Sequence, residues 1–169
     1  KSRLNWDTKD AKIGNSEIEI IGDNDYSNYN TSCVKISDDF NYKNDFIIQT
    51  SIIFTKRGGL NNGSGLIFFS DKSKRYFYAF TINKGGGWQV FKNSNRNGVN
   101  DVEWISPKNQ ISDYVITGKY SKNKIHIYKN LDVYLFFIND KLVFTESAEK
   151  FNNYGNHYGY ITYEKNVNS

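Results

Sequence analysis

The sequence predicts an all-β protein in which two antiparallel sheets pack face to face as a β-sandwich. Three observations predict it. Apolar residues recur at period two or in short solid runs of β-branched and aromatic types. Gly- and Asn-containing turn signals break these runs at short intervals. Helical periodicity is nearly absent, with only Ser147-Ala148-Glu149-Lys150 spaced for a short helical turn. About eleven strands cannot remain one open flat sheet, because edges and an apolar face would stay exposed; two facing sheets hide both.

Strands are expected near 17–21, 33–36, 45–54, 65–70, 76–83, 88–92, 114–120, 124–129, 132–138, 141–145 and 158–163. In Glu17-Ile18-Glu19-Ile20, acids alternate with isoleucines as on the wet side of an edge strand. The runs 45–54, 65–70 and 76–83 are almost solidly apolar and read as buried strands. Turns fall at Gly58-Gly59, Asn61-Asn62-Gly63, Gly85-Gly86-Gly87, Asn97-Gly98, Asn139-Asp140 and Asn153-Tyr154-Gly155. The one proline, Pro107, and the lack of a Ser/Gly/Pro-rich stretch leave no linker, so residues 1–169 read as one domain.

Composition excludes several function classes. Cys33 is the only cysteine, which rules out an intrachain disulfide framework and a Cys-based zinc site; it lies in the apolar run 33–36 and is expected to be buried and unreactive. With only His126 and His157, a multi-histidine metal site is excluded as well. No run approaches the ~18–20 apolar residues of a membrane helix, so no membrane insertion is expected. The chain opens at Lys1 rather than methionine, as a mature or excised piece of a larger polypeptide or assembly would, and its compartment is left open. The formal charge of +4 comes from scattered lysines with only four arginines, and Asp71–Arg75 reads as a solvated turn; nucleic acid is not an expected partner. Lys, Asn, Ile, Tyr and Phe supply 84 of 169 residues, all with A/T-rich codons, so the surplus of Tyr and Asn counts for less than it would otherwise.

Two segments carry a family resemblance. The first runs from Asp45 to Phe54, then Gly65-Leu66-Ile67-Phe68-Phe69, then Tyr76 to Asn83 and Gly87 to Lys92. The second is Val133 to Val143 followed by Tyr158-Gly159-Tyr160-Ile161. In order and spacing, over about residues 40–163, these resemble the concanavalin A-like lectin/glucanase superfamily, particularly its laminin-G-like jelly rolls. The resemblance implies a jelly-roll sandwich and leans towards an extracellular or cell-surface setting. Catalytic members carry a Glu-x-Asp-x-Glu or Glu-x-Asp-x-x-Glu strand, whereas Glu17-Ile18-Glu19 and Asp101-Val102-Glu103 here hold two carboxylates each. Many members bind calcium, but Asp71, Asp132 and Asp140 are isolated in the sequence, so no cofactor is expected.

Nucleophilic and phosphate-binding motifs are missing: there is no Gly-x-Ser-x-Gly elbow, and Gly85-Gly86-Gly87 lacks a following helix. The remaining signal is aromatic. Trp6, Trp88 and Trp104 stand against the codon bias, and Trp6 is expected to pack on the sandwich end. Residues 88–104 bring two tryptophans together with an arginine, two acids and several asparagines, a mixture that can stack a sugar ring and bind its hydroxyls. The expected ligand site is therefore Trp88 and Trp104 with Tyr78, Arg96, Asn97, Asp101 and Glu103, on the concave sheet and its rim. The function expected from this is a non-catalytic, lectin-like carbohydrate-binding module. The alternatives are a protein-interaction or sensor module using the same aromatics, and an atypical glycoside hydrolase.

Overall fold

The computed structural model describes residues 11–13, 18–20, 31–36, 42–54, 62–73, 75–96 and 99–163, with backbone alone for 11–13, 18–20, 31–36, 95–96, 99–100 and 163. Among them the strands are β1 (Ala11–Ile13), β2 (Ile18–Ile20), β3 (Thr31–Ile36), β4 (Phe46–Ile53), β5 (Gly63–Ser70), β6 (Tyr76–Asn83), β7 (Gly87–Arg96), β8 (Val99–Trp104), β9 (Gln110–Ile111), β10 (Lys122–Asn130), β11 (Val133–Ile138), β12 (Lys141–Ser147) and β13 (His157–Tyr163). One 3₁₀ turn, Ala148–Lys150, occupies the expected helical position.

All strand pairs are antiparallel, and two sheets form the sandwich. The smaller has the order β12-β11-β10-β4; the larger runs β3-β13-β5-β6-β7-β8, with β9 also on β7. β1 and β2 pair only with each other among the described residues. The gap between the sheets is filled largely by aromatic rings. Phe136 of β11 meets Phe80 at 5.3 Å and Phe68 at 6.3 Å, and Phe151 packs between Tyr78 at 5.0 Å and Tyr134 at 4.7 Å. Each fully buried ring contributes about 1.5–3 kcal/mol of transfer free energy. The large sheet is apolar on its other face too, where Ile67, Phe77, Ala79, Phe91 and Ile161 form a second buried cluster.

One break in the alternation serves the main core. Phe69 has a left-handed backbone (φ 53°), and the β5–β13 register shifts beside it. Both Phe68 and Phe69 consequently belong to the main core, with their rings 5.3 Å apart.

The Asn139-Asp140 hairpin between β11 and β12 forms as expected, with φ values of 49° and 63° that match the two positive-φ positions of a tight two-residue turn. The expected strand at 114–120 does not form. Its apolar alternation is real, but its backbone partner is a side chain: Asn123, fully buried, accepts from the Ile116 N–H (2.8 Å) and donates to the Ile116 carbonyl (2.9 Å). Asn139 donates to the Tyr114 carbonyl at 2.7 Å. These two asparagines hold the segment as a loop, and only Val115 of it is buried. Conversely, 99–104 and 110–111, not expected as strands, extend the large sheet along the β7 edge. Between them Ser106 accepts from the Val90 N–H at 2.9 Å, so that edge is occupied from Gly87 to Arg96. Cys33 lies on β3 opposite Tyr160, with its side chain outside the described residues, as is the whole of Trp6.

On the outer face of the small sheet His126 stacks on Phe137 with ring centroids 4.4 Å apart. Burial, and then Lys124, hold its pKa below 6.5, with Asp140 opposing. The unfolded chain therefore binds a proton more readily than the native one. The contribution of His126 to stability is complete above pH 6.5 and declines as pH falls below it. Melting temperatures measured from pH 8 to 5 are expected to fall more steeply for the wild type than for His126→Gln; identical slopes would remove this assignment.

Leu131 is 71% exposed yet holds a left-handed backbone (φ 53°) in the β10–β11 turn. That conformation costs a branched residue about 1–2 kcal/mol. Leu131→Asn is expected to raise stability by ~0.5–1 kcal/mol in denaturant unfolding, because asparagine tolerates this region. A lower midpoint would show that the leucine side chain contributes more than its backbone costs.

Candidate functional site

The β7–β8 ladder decides which residues can cooperate. Its register pairs Phe91 with Trp104, Lys92 with Glu103, Asn93 with Val102 and Ser94 with Asp101. Neighbours along a strand point to opposite faces, so Trp104 and Glu103 diverge. Trp104 is half-buried against Phe91 at 5.9 Å, on the second apolar cluster. Asp101 and Glu103 share the other face with Lys92.

This corrects the expected grouping. Trp88 is 7% exposed and lies in the main core, with Phe144 at 5.9 Å across the sheet gap; Tyr78 is fully buried. Neither ring has a free face for a sugar to stack on. Arg96 pairs with Val99 through its backbone, while its side chain and the whole of Asn97 lie outside the described residues.

The structure does bring Asp101 and Glu103 together with three residues that the sequence reading missed: Tyr76, Lys92 and Tyr154. Tyr76 and Tyr78 lie on the same face of β6, and Tyr154 from the loop after the 3₁₀ turn stacks on both, at 5.4 Å and 5.8 Å. Lys92 Nζ donates to Glu103 Oε2 at 2.9 Å. The Glu103 bond, and then Tyr154, hold the Lys92 pKa above its usual value, against the effect of burial. Beneath them burial pushes Tyr78 up to about 12. Its hydroxyl accepts from the Asn152 N–H at 2.9 Å and lies 3.4 Å from the Lys150 carbonyl as donor, which fixes the loop that delivers Tyr154. Gly155 lets this loop close on β5, since a Cβ there would collide with the Ser70 carbonyl. The result is a strip with a tyrosine stack at its centre and a cation and two carboxylates at its side.

Among the described residues the remaining acids and histidines are dispersed. Among the described residues no three His, Cys, Asp or Glu side chains gather as a metal site. Asp71 accepts from the Tyr76 N–H at 2.8 Å and Asp140 pairs with Lys124 at 2.8 Å. His157 Nδ1 lies 3.1 Å from the Ser70 carbonyl. No helix of the described residues is long and apolar enough to cross a membrane.

No protein-family model matches the sequence, and no curated protein matches it. Among solved structures, the chain is similar to a carbohydrate-binding module, CBM66, from Bacillus subtilis, at 18% identity over 78% of this chain and 76% of that one, with a TM-score of 0.44. It is also similar to sheep galectin-11 in complex with glycerol, at 11% identity over 70% of this chain and 90% of that one, with a TM-score of 0.40.

Trp104→Ala separates the two faces of β8. It is expected to cost about 2–4 kcal/mol of folding free energy by uncovering Phe91, while leaving any ligand bound at the tyrosine strip unaffected. Lost binding with an unchanged melting temperature would return Trp104 to the site.

Proposed function

We propose that this chain is a non-catalytic, lectin-like module that binds glycan along the strip formed by Tyr76, Tyr154, Lys92, Asp101 and Glu103. The supporting observation is the stacking of Tyr154 on Tyr76 and Tyr78 beside the Lys92–Glu103 pair. Aromatic faces take the CH groups of a sugar ring, and charged donors and acceptors at the rim take its hydroxyls. The acids are poorly set for glycoside hydrolysis. The Glu103 side chain is 63% exposed and bonded to Lys92, and Asp101 is exposed; neither sits in the apolar, water-excluded surroundings that a general acid needs.

A second reading, a protein-interaction module, is favoured by β9 and the loop that follows it. There Ile111, Tyr114, Ile116 and Tyr120 are all exposed, a concentration of large apolar side chains suited to a protein partner.

A glycan array combined with a reducing-sugar assay tests the readings. Binding without sugar release is expected, weakened about tenfold or more by Asp101→Ala and by Tyr154→Ala. Sugar release would identify a hydrolase. Silence in both assays would leave the protein-interaction reading, and retained binding in both variants would move the site elsewhere.

A further inference from the structure

We infer that the chain has a second ligand site, a pocket for a single neutral polyhydroxyl group such as one sugar ring, at the tip of the β6–β7 hairpin. Here β9 joins the start of β7, pairing Ile111 with Gly87 and Gln110 with Trp88. The pocket is a half-open depression with a volume of about 170 Å³. That volume is below the ~300–1,000 Å³ of sites for drug-sized molecules and holds about one ring. Asn83, Gln89, Asn109, Gln110, Trp88 and Ile111 are among the residues around it; by strand alternation the side chains of Asn83, Gln89 and Ile111 share the face turned away from the main core, and those of Trp88 and Gln110 the face towards it.

Hydrogen bonds orient the Asn83 amide. Asn83 Oδ1 accepts from the N–H groups of Gly85 (2.9 Å) and Gly87 (2.8 Å). Both contacts come from donors, so the accepting atom is the oxygen, and Nδ2 is left as a donor without a partner among the described residues. That nitrogen lies over Gly87, where a Cβ would collide with it, so only glycine keeps it in place. The carboxamides of Gln89 and Asn109 have no hydrogen-bond partner among the described residues and are free to turn. One fixed donor and two adjustable amides suit neighbouring hydroxyls, each of which both donates and accepts.

Charge defines the ligand class further. No lining residue is ionisable, so a carboxylate or phosphate would find no cation in the pocket, and an amine no anion. The site stands apart from the tyrosine strip. Gly87 and Lys92 are five residues apart on β7, on the order of 15 Å at ~3.3 Å per residue. The inference therefore does not need the strip to bind anything.

The test is a titration of the ¹⁵N-labelled chain with sorbitol, glucose, galactose, mannose and fructose, and with glucuronate as the anionic counterpart, read at the side-chain NH₂ resonances. At least one neutral probe is expected to shift the Asn83, Gln89 and Asn109 amides saturably, and glucuronate to bind at least fivefold more weakly than glucose. The double variant Gln89→Ala with Asn109→Gly should lose binding about tenfold or more; glycine keeps the positive φ of Asn109 (56°). Gly87→Ala should do the same by displacing the Asn83 amide. Tyr154→Ala should leave the pocket shifts unchanged. No saturable shift with any neutral probe, equal shifts in a variant whose melting temperature is preserved, or glucuronate binding as well as glucose would overturn the inference.

Discussion

The structure depends on filling the gap between two facing sheets with rings. Sheets packed face to face stand about 10 Å apart, and large side chains from both must interdigitate to exclude water. Here Phe68, Tyr78 and Phe80 from one sheet meet Tyr134 and Phe136 from the other, with Phe151 wedged at the end. The loop beside the polar strip is positioned from this layer. The Tyr78 hydroxyl, held at the rim of the core, anchors Asn152 and so fixes the loop that delivers Tyr154. The strip proposed to take glycan is thus an outgrowth of the core, and core and surface share the Tyr78 ring.

Side-chain alternation is the second constraint, and it explains both what the sequence revealed and what it concealed. The spacing of Asp101 and Glu103 places them on one face, and they do share one. Trp104, one residue further, could not join them, although the composition of residues 88–104 invited the grouping. Lys92 was also within reach of the sequence. The two-residue turn expected at Asn97-Gly98 would make paired positions sum to 195, and the observed pairs Phe91 with Trp104 and Lys92 with Glu103 obey that sum. Nothing local announces Tyr154, which arrives from a loop about fifty residues downstream.

The fold was legible where strands pair with strands and turns use their usual residues, as at Asn139-Asp140. It was not legible at 114–120, where Asn123 supplies from its side chain the donor and acceptor that a neighbouring strand would have offered. An amide group has the same two functions as a peptide unit, so a single buried asparagine can dock one residue of backbone without any strand. The same chemistry recurs at Asn83, which caps the β6–β7 turn with its oxygen and keeps its nitrogen for the pocket.

The interior has a chemical consequence as well. The chain contains no methionine and one cysteine, so the layer between the sheets is built almost entirely from carbon rings and branched aliphatic chains. Methionine is the side chain that fills irregular gaps and also the one that peroxide converts into a polar sulfoxide. Without it, the fit between the sheets rests on the shapes of rigid rings, and oxidants that loosen methionine-rich cores find no thioether in this one.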